Sequence, residues 1–180
     1  LGDVYKRQVS GDVMNIKKVR VDKEGAGMGW GAVYAQYLES MDQIGEQGNG
    51  LSVSRQLYKG DEALNESVPL KVGDKITVRL TVKADRDMDF VQIKDDRAAC
   101  MEPLQAVSGF RWGNGLGYYQ ATKDASTQFF IDQMRKGTYV IEYQVYVNRT
   151  GEYQAGIATV QSAYAPEFGG HTGGYRVMVE

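Results

Sequence analysis

Residues Ile76, Val78, Leu80 and Val82 alternate with Thr77, Arg79, Thr81 and Lys83, and this period of two constrains the fold more than any other feature of the sequence. Side chains in an extended strand point to opposite faces in turn, so alternation predicts one buried face and one wet face, as in an antiparallel sheet. Tyr139, Ile141, Tyr143, Val145 and Val147 repeat the pattern against Glu142 and Gln144. Tyr153, Ala155 and Ile157 follow a turn at Arg149-Thr150-Gly151, and Tyr175, Val177 and Val179 close the chain. Further strands are expected at Ile16–Val21, Gly31–Leu38, Leu51–Tyr58 and Met88–Lys94. About seven or eight strands divided by Gly-, Asp- and Asn-rich turns predict an all-β antiparallel β-sandwich with at most short helical turns. Glu39–Glu46 and Ser126–Met134 carry some helical spacing, Gly45–Gly50 reads as a hairpin-like loop, and Arg97–Thr127 is the longest irregular stretch. Twelve tyrosines and 22 glycines against three prolines favour strands and turns over a helical bundle.

Composition excludes several functions. The 180 residues carry 21 Lys and Arg against 23 Asp and Glu, a net charge of −2, with no basic cluster of the kind that grips nucleic acid. No apolar run approaches the roughly 18–20 residues that a membrane-crossing helix requires. A single cysteine, Cys100, excludes an internal disulfide and a cysteine-built zinc site, and a single histidine, His171, excludes a two-histidine metal site. No cofactor or metal is expected, and the balance is against an enzyme. The chain begins without Met at Leu1-Gly2-Asp3 and ends inside a strand, which reads as the C-terminal piece of a longer protein. Leu1–Gln8 resembles translated sequencing-adapter text, so residues 1–14 are set apart as a disordered or artefactual segment and 15–180 as one domain.

Four constellations could carry chemistry. A nucleophilic Cys100 would need His171 as its base, whereas a free cysteine at a strand end is ordinarily a small buried residue. Asp85, Asp87, Asp89, Asp95 and Asp96 are rich in carboxylates, but Phe90 stands where a calcium loop needs glycine. Solvated turns, with a local ion pair or loop anchor at Asp95-Asp96-Arg97, account for them better. Asn65-Glu66-Ser67 and Asn148-Arg149-Thr150 match the glycosylation triplet, a pattern common by chance. Gly113-Asn114-Gly115-Leu116-Gly117 lacks the Lys-Ser/Thr of a phosphate loop and reads as a flexible loop presenting Tyr118 and Tyr119. Together with Phe110 and Trp112 these tyrosines form either a patch for stacking sugars or contacting protein, or an ordinary sandwich edge.

Several segments in order resemble the C-terminal macroglobulin-like domain of bacterial alpha-2-macroglobulin-family proteins. They are Gly29-Trp30-Gly31-Ala32-Val33-Tyr34-Ala35-Gln36-Tyr37, Gly50-Leu51-Ser52-Val53-Ser54-Arg55 and Val72-Gly73-Asp74-Lys75-Ile76-Thr77-Val78-Arg79-Leu80. Met88-Asp89-Phe90-Val91-Gln92-Ile93-Lys94-Asp95 then leads into Arg97-Ala98-Ala99-Cys100-Met101-Glu102-Pro103. Phe129-Phe130, Gly137-Thr138-Tyr139 and Ile141-Glu142-Tyr143 resemble the stretch before the long return strand, and Tyr164-Ala165-Pro166-Glu167-Phe168-Gly169-Gly170-His171-Thr172 resembles the closing loop. The resemblance implies a non-catalytic domain of a protease inhibitor in the bacterial periplasm or cell envelope. Its partners would be the upstream domains of the same parent chain and, through the intact parent, target proteases, with no nucleic acid and no membrane contact. Family members present a bait whose cleavage cages the protease, many with the help of a thioester. The thioester motif Cys-Gly-Glu-Gln is absent, since Met101-Glu102-Pro103 follows Cys100. In the family the last domain packs on and shields the thioester domain, and Tyr118, Tyr119 and Trp112 are the residues expected to make that contact. The alternative is a carbohydrate-binding or adhesive sandwich using the same aromatic platform.

Overall fold

The computed structural model describes residues 18–29, 38–64 and 69–180. By its contacts the chain falls into two units, Leu1–Glu39 and Ser40–Glu180. The described residues of the first unit form no strand, so Lys18–Val21 corrects the strand expected at Ile16–Val21. Apart from Leu38, the strand expected at Gly31–Leu38 lies outside the described residues.

In the second unit a single 3-10 turn, Met41–Gln43, precedes the strands. These are β1 (Gln47–Asn49), β2 (Leu51–Lys59), β3 (Glu62–Ala63), β4 (Lys75–Ala84), β5 (Met88–Asp96), β6 (Met101–Pro103) and β7 (Gly109–Gly113). They continue with β8 (Leu116–Thr122), β9 (Ser126–Met134), β10 (Gly137–Val147), β11 (Gly151–Ala155), β12 (Ala158–Ser162), β13 (Gly169–His171) and β14 (Tyr175–Val179). The main sheet runs β6-β10-β4-β2-β1-β13-β12-β5-β9-β8-β7, with β3 beside β2, and β11 pairs with β14 separately. It folds over on itself. The β10-β4-β2 layer faces the β5-β9 layer, as the contact of Phe129 on β9 with Tyr143 on β10 shows. The short strands β1 and β13 carry hydrogen bonding around the fold between β2 and β12. That crossing depends on glycine, because a Cβ on Gly170 would lie 2.7 Å from the Leu51 carbonyl and 2.8 Å from that of Gln47.

Alternation sets the core as expected. Ile76, Val78, Leu80 and Val82 of β4 and Ile141, Tyr143, Val145 and Val147 of β10 are all buried. Val91, Ile93, Phe129 and Ile131 meet them from the other layer. Each such side chain contributes about 1.5–3 kcal/mol through removal from water. The helical spacing at Ser126–Met134 is overruled: the segment is β9, with Thr127, Phe129 and Ile131 inward. Only Met41–Gln43 of Glu39–Glu46 is helical, and Ile44 is already extended. Within Gly45–Gly50, residues 47–49 form β1, and Arg97–Thr127 holds β6, β7, β8 and the start of β9.

One polar cluster ties the layers together. Arg55 on β2 donates to Asp95 on β5 at 2.5 Å, with both side chains nearly inaccessible at 4% and 1%. The same guanidinium donates to the Gly156 carbonyl at 2.6 Å and lies 4.4 Å from the centre of the Tyr175 ring. The Tyr143 hydroxyl donates to the second Asp95 oxygen at 2.7 Å. Burial pushes the Asp95 carboxyl up, against the pull of Arg55 and of the Tyr143 hydroxyl. Asp95 was expected in a local ion pair or loop anchor with Asp96 and Arg97. It is instead a buried strand residue, since only a pairing across the layers supplies it with partners. Arg97 works elsewhere, donating to Thr127 Oγ1 and to the Lys123 and Asp124 carbonyls, which fixes the turn before β9.

Removing one member of a buried ion pair strands the other, so Arg55→Ala is expected to destabilise the fold by about 3–5 kcal/mol in urea titration. The double replacement Arg55→Met with Asp95→Leu should recover most of that loss. Burial also lifts the phenols of Tyr143 and Tyr175 above tyrosine's ordinary range. Their contribution is fully present below the unfolded-chain value of about 10 and is lost as pH rises through the folded values. Phenolate absorbance should therefore show these two ionising in one cooperative step with alkaline unfolding.

Candidate functional site

The antiparallel hairpin β7–β8 pairs Phe110 with Tyr119 and Trp112 with Gly117. Its turn is Asn114-Gly115, with φ of 52° and 76°. Asn-Gly tolerates these left-handed values, and such a turn matches the twist of the flanking strands. The Asn114 amide donates to the Val140 carbonyl at 2.9 Å, while at the base of the hairpin Thr122 Oγ1 donates to the Gln105 carbonyl at 3.1 Å. The glycine-rich stretch is thus a tight, anchored turn, which corrects the flexible loop expected there. Tyr118 and Tyr119 stand in a paired strand.

Neighbouring strand residues face opposite ways, which divides the expected trio. Tyr118 turns inward and meets the core ring of Phe129 edge-on at 5.6 Å, and burial raises its phenol. Tyr119 turns outward and meets Phe110 edge-on at 5.1 Å. Trp112 lies over Gly117, where a Cβ would come within 2.8 Å of the indole. Both Phe110 and Trp112 are 79% exposed. The outer face therefore carries Phe110, Trp112 and Tyr119, and Phe130, opposite Tyr119 on β9, extends it. Doubling of the aromatic at 129 and 130, one residue inward and one outward, was the only sequence signal for Phe130. A shallow cleft of about 420 Å³ runs along this face and includes Arg111 and Asp132. Arg111 donates to the Phe110 and Val107 carbonyls.

The other candidates do not assemble. Cys100 is fully buried between β5 and β6, its carbonyl accepts the Asn148 amide, and burial raises its thiol. His171 is on β13, with Nδ1 3.2 Å from the Thr172 carbonyl, and no hydrogen bond joins it to Cys100 among the described residues. Asp85 pairs with Arg86, Asp87 accepts the Lys136 amide and Asp96 pairs with Lys94, so these carboxylates serve separate local contacts. Among the described residues no three metal-ligating side chains converge. Asn148 donates its amide to Glu102, and Ser67 of the other glycosylation triplet lies outside the described residues.

The described strands thus form a two-layer antiparallel sandwich that carries one anchored, aromatic hairpin. Residues 50–167 match the family described as the bacterial alpha-2-macroglobulin MG10 domain, and the chain belongs to that family. The fold is similar to that of Salmonella alpha-2-macroglobulin reacted with methylamine, with a TM-score of 0.64 and 19% identity over 76% of this chain and 10% of that one. It is also similar to native Escherichia coli alpha-2-macroglobulin spanning MG7 to the C-terminus, with a TM-score of 0.63 and 17% identity over 75% of this chain and 24% of that one. A curated relative, "Circularly permutated Ras protein 2" of Dictyostelium discoideum, is 26% identical over 166 residues. That match covers 88% of this chain and 4% of the relative. The chain thus spans a small part of each of these proteins.

Replacing Gly117 by Val is expected to push Trp112 off its seat. Tryptophan emission in a Trp30→Phe background should report the change, with folding loss held to about 1–2 kcal/mol because the site is at a sheet edge. The buried Cys100 should resist a thiol reagent at neutral pH and react only once the protein is denatured.

Proposed function

We propose that the chain is the non-catalytic C-terminal domain of a protease-inhibiting parent and that it packs on and shields an upstream thioester-type domain. The observation that carries this reading is the rigid hairpin holding Phe110 and Trp112 almost fully in water on a domain whose core is otherwise closed. Exposed aromatic clusters of this kind mark contact surfaces, and aromatic anchors dominate the energetics of interfaces. Family membership supports the role, and one similar structure is that of Escherichia coli alpha-2-macroglobulin activated by porcine elastase. Residues 15–180 form the domain and the parent resides in the periplasm or cell envelope. Trp112 and Tyr119 make the contact directly, and Tyr118 acts from beneath by holding the strand on Phe129.

The test is calorimetric titration of the 180-residue chain with the preceding domains of its parent. Binding is expected, and Trp112→Ala should weaken it about tenfold or more. Absence of binding, or binding indifferent to Trp112→Ala and Tyr119→Ala, overturns the reading. A second reading, carbohydrate binding, is favoured by one observation. Trp112 packs on Gly117, is 79% exposed and shares its cleft with Asp132, which pairs a flat ring with a hydroxyl acceptor. Saturable quenching of Trp112 emission by neutral oligosaccharides would support it in place of the first.

A further inference from the structure

Away from the hairpin, Phe90 has φ of 52°, the left-handed region that a bulky side chain rarely occupies. The reason for the conformation lies in the core. Along β5, Met88 is inward, Asp89 and Phe90 are both outward, and Val91 is inward again. The left-handed residue resets the alternation so that Met88 meets Met134 across the ladder with both side chains buried. Glycine would perform that reset without strain. The phenylalanine ring is therefore not explained by the backbone, nor by burial, since it is 48% exposed.

The ring is held in place. It meets Tyr164, itself 79% exposed, edge-on at 5.1 Å, and the Phe90 carbonyl accepts the Ala163 amide at 2.9 Å. The turn bearing Tyr164 is closed by Ser162 donating to the Phe168 carbonyl and Phe168 donating to that of Ala165. Three carboxylates neighbour the pair in the chain or across the ladder. Asp89 precedes Phe90, Asp132 faces it across the ladder between the pairs Asp89–Gln133 and Val91–Ile131, and Glu167 lies on the Tyr164 turn. All three are exposed, and among the described residues none of these carboxylates has a hydrogen bond or ion pair. Arg86 is already paired with Asp85 and stacked 4.6 Å over Phe168, on the turn that bears Tyr164.

We propose that the Phe90–Tyr164 corner docks a basic segment of a protein partner, with an arginine or lysine side chain seated against the two rings and facing Asp89, Asp132 and Glu167. Aromatic faces attract cations, unpaired carboxylates add charge complementarity, and a strained ring kept in water is the mark of a site shaped for contact rather than stability. Phe90 and Tyr164 do not line the hairpin cleft, and Asp132 borders both places.

The experiment titrates the 180-residue chain with a short arginine–glycine peptide at low salt, following backbone amide shifts by NMR. Saturable shifts centred on Phe90, Tyr164 and their neighbours are expected, weakening as salt is raised. Tyr164→Ala and Phe90→Gly should each weaken binding roughly tenfold. Phe90→Gly should also melt no lower than the parent chain, which separates lost contact from lost fold. The proposal is overturned if the peptide does not bind saturably, or if binding survives both aromatic replacements as bulk charge attraction. It is equally overturned if Phe90→Gly melts lower and binds unchanged, or if the shifts respond to a neutral oligosaccharide or an acidic peptide and not to the basic one.

Discussion

The Arg55–Asp95 pair is the contact on which the relation of the two layers depends. Apolar packing alone holds sheets together without strongly fixing how one lies over the other, because many side-chain registers bury similar area. A guanidinium planted on β2 and a carboxylate on β5 remove that freedom. Each is buried, each must find the other, and Tyr143 and the Gly156 carbonyl complete the set from β10 and from the link between β11 and β12. Four parts of the chain are thus positioned by one charge pair. Desolvation makes such a pair a weak source of net stability, but a half-made pair is far worse, so misregistered packings are penalised.

With the layers fixed, the outer face of the second layer becomes a display. β9 supplies Phe129 inward, giving Tyr118 a floor, and Phe130 outward beside Tyr119. The hairpin then stands on a packed base and its aromatic face needs no partner to keep its shape. A surface prepared in this way loses little conformational freedom when it binds, so little of its contact energy is spent on ordering.

The regular strands were legible in the sequence because alternation leaves a direct trace. β4, β10 and β14 follow it residue by residue. Ser126–Met134 was ambiguous because Phe129, Phe130 and Met134 also satisfy helical spacing, and only the partner strands β5 and β8 decide which ring is inward. The three-residue strands β1, β6 and β13 leave almost no trace, since their pairing is imposed by the strands beside them. At the hairpin, Asn114-Gly115 between aromatic strands was a turn signal masked by the surrounding glycines. The residues Trp112 and Tyr119 were visible in the sequence, but the inward turn of Tyr118 was not. Arg55 and Asp95 gave no hint of each other, separated as they are by four tens of residues and set among ordinary polar neighbours. Phe90 and Tyr164 were invisible as a pair for the same reason.

The glycine crossing at β1 and β13 has a consequence for solubility. By joining β2 to β12 it leaves β6 and β7 as the two ends of the main path of described strands, with β3 branching beside β2. The first is three residues long, and on the second Arg111 turns back onto the carbonyls of Phe110 and Val107. An uncovered strand is the usual template for adding a foreign one, and here both ends are short or guarded. At these two ends the main sheet offers neighbouring molecules no long backbone edge on which to grow an aggregate.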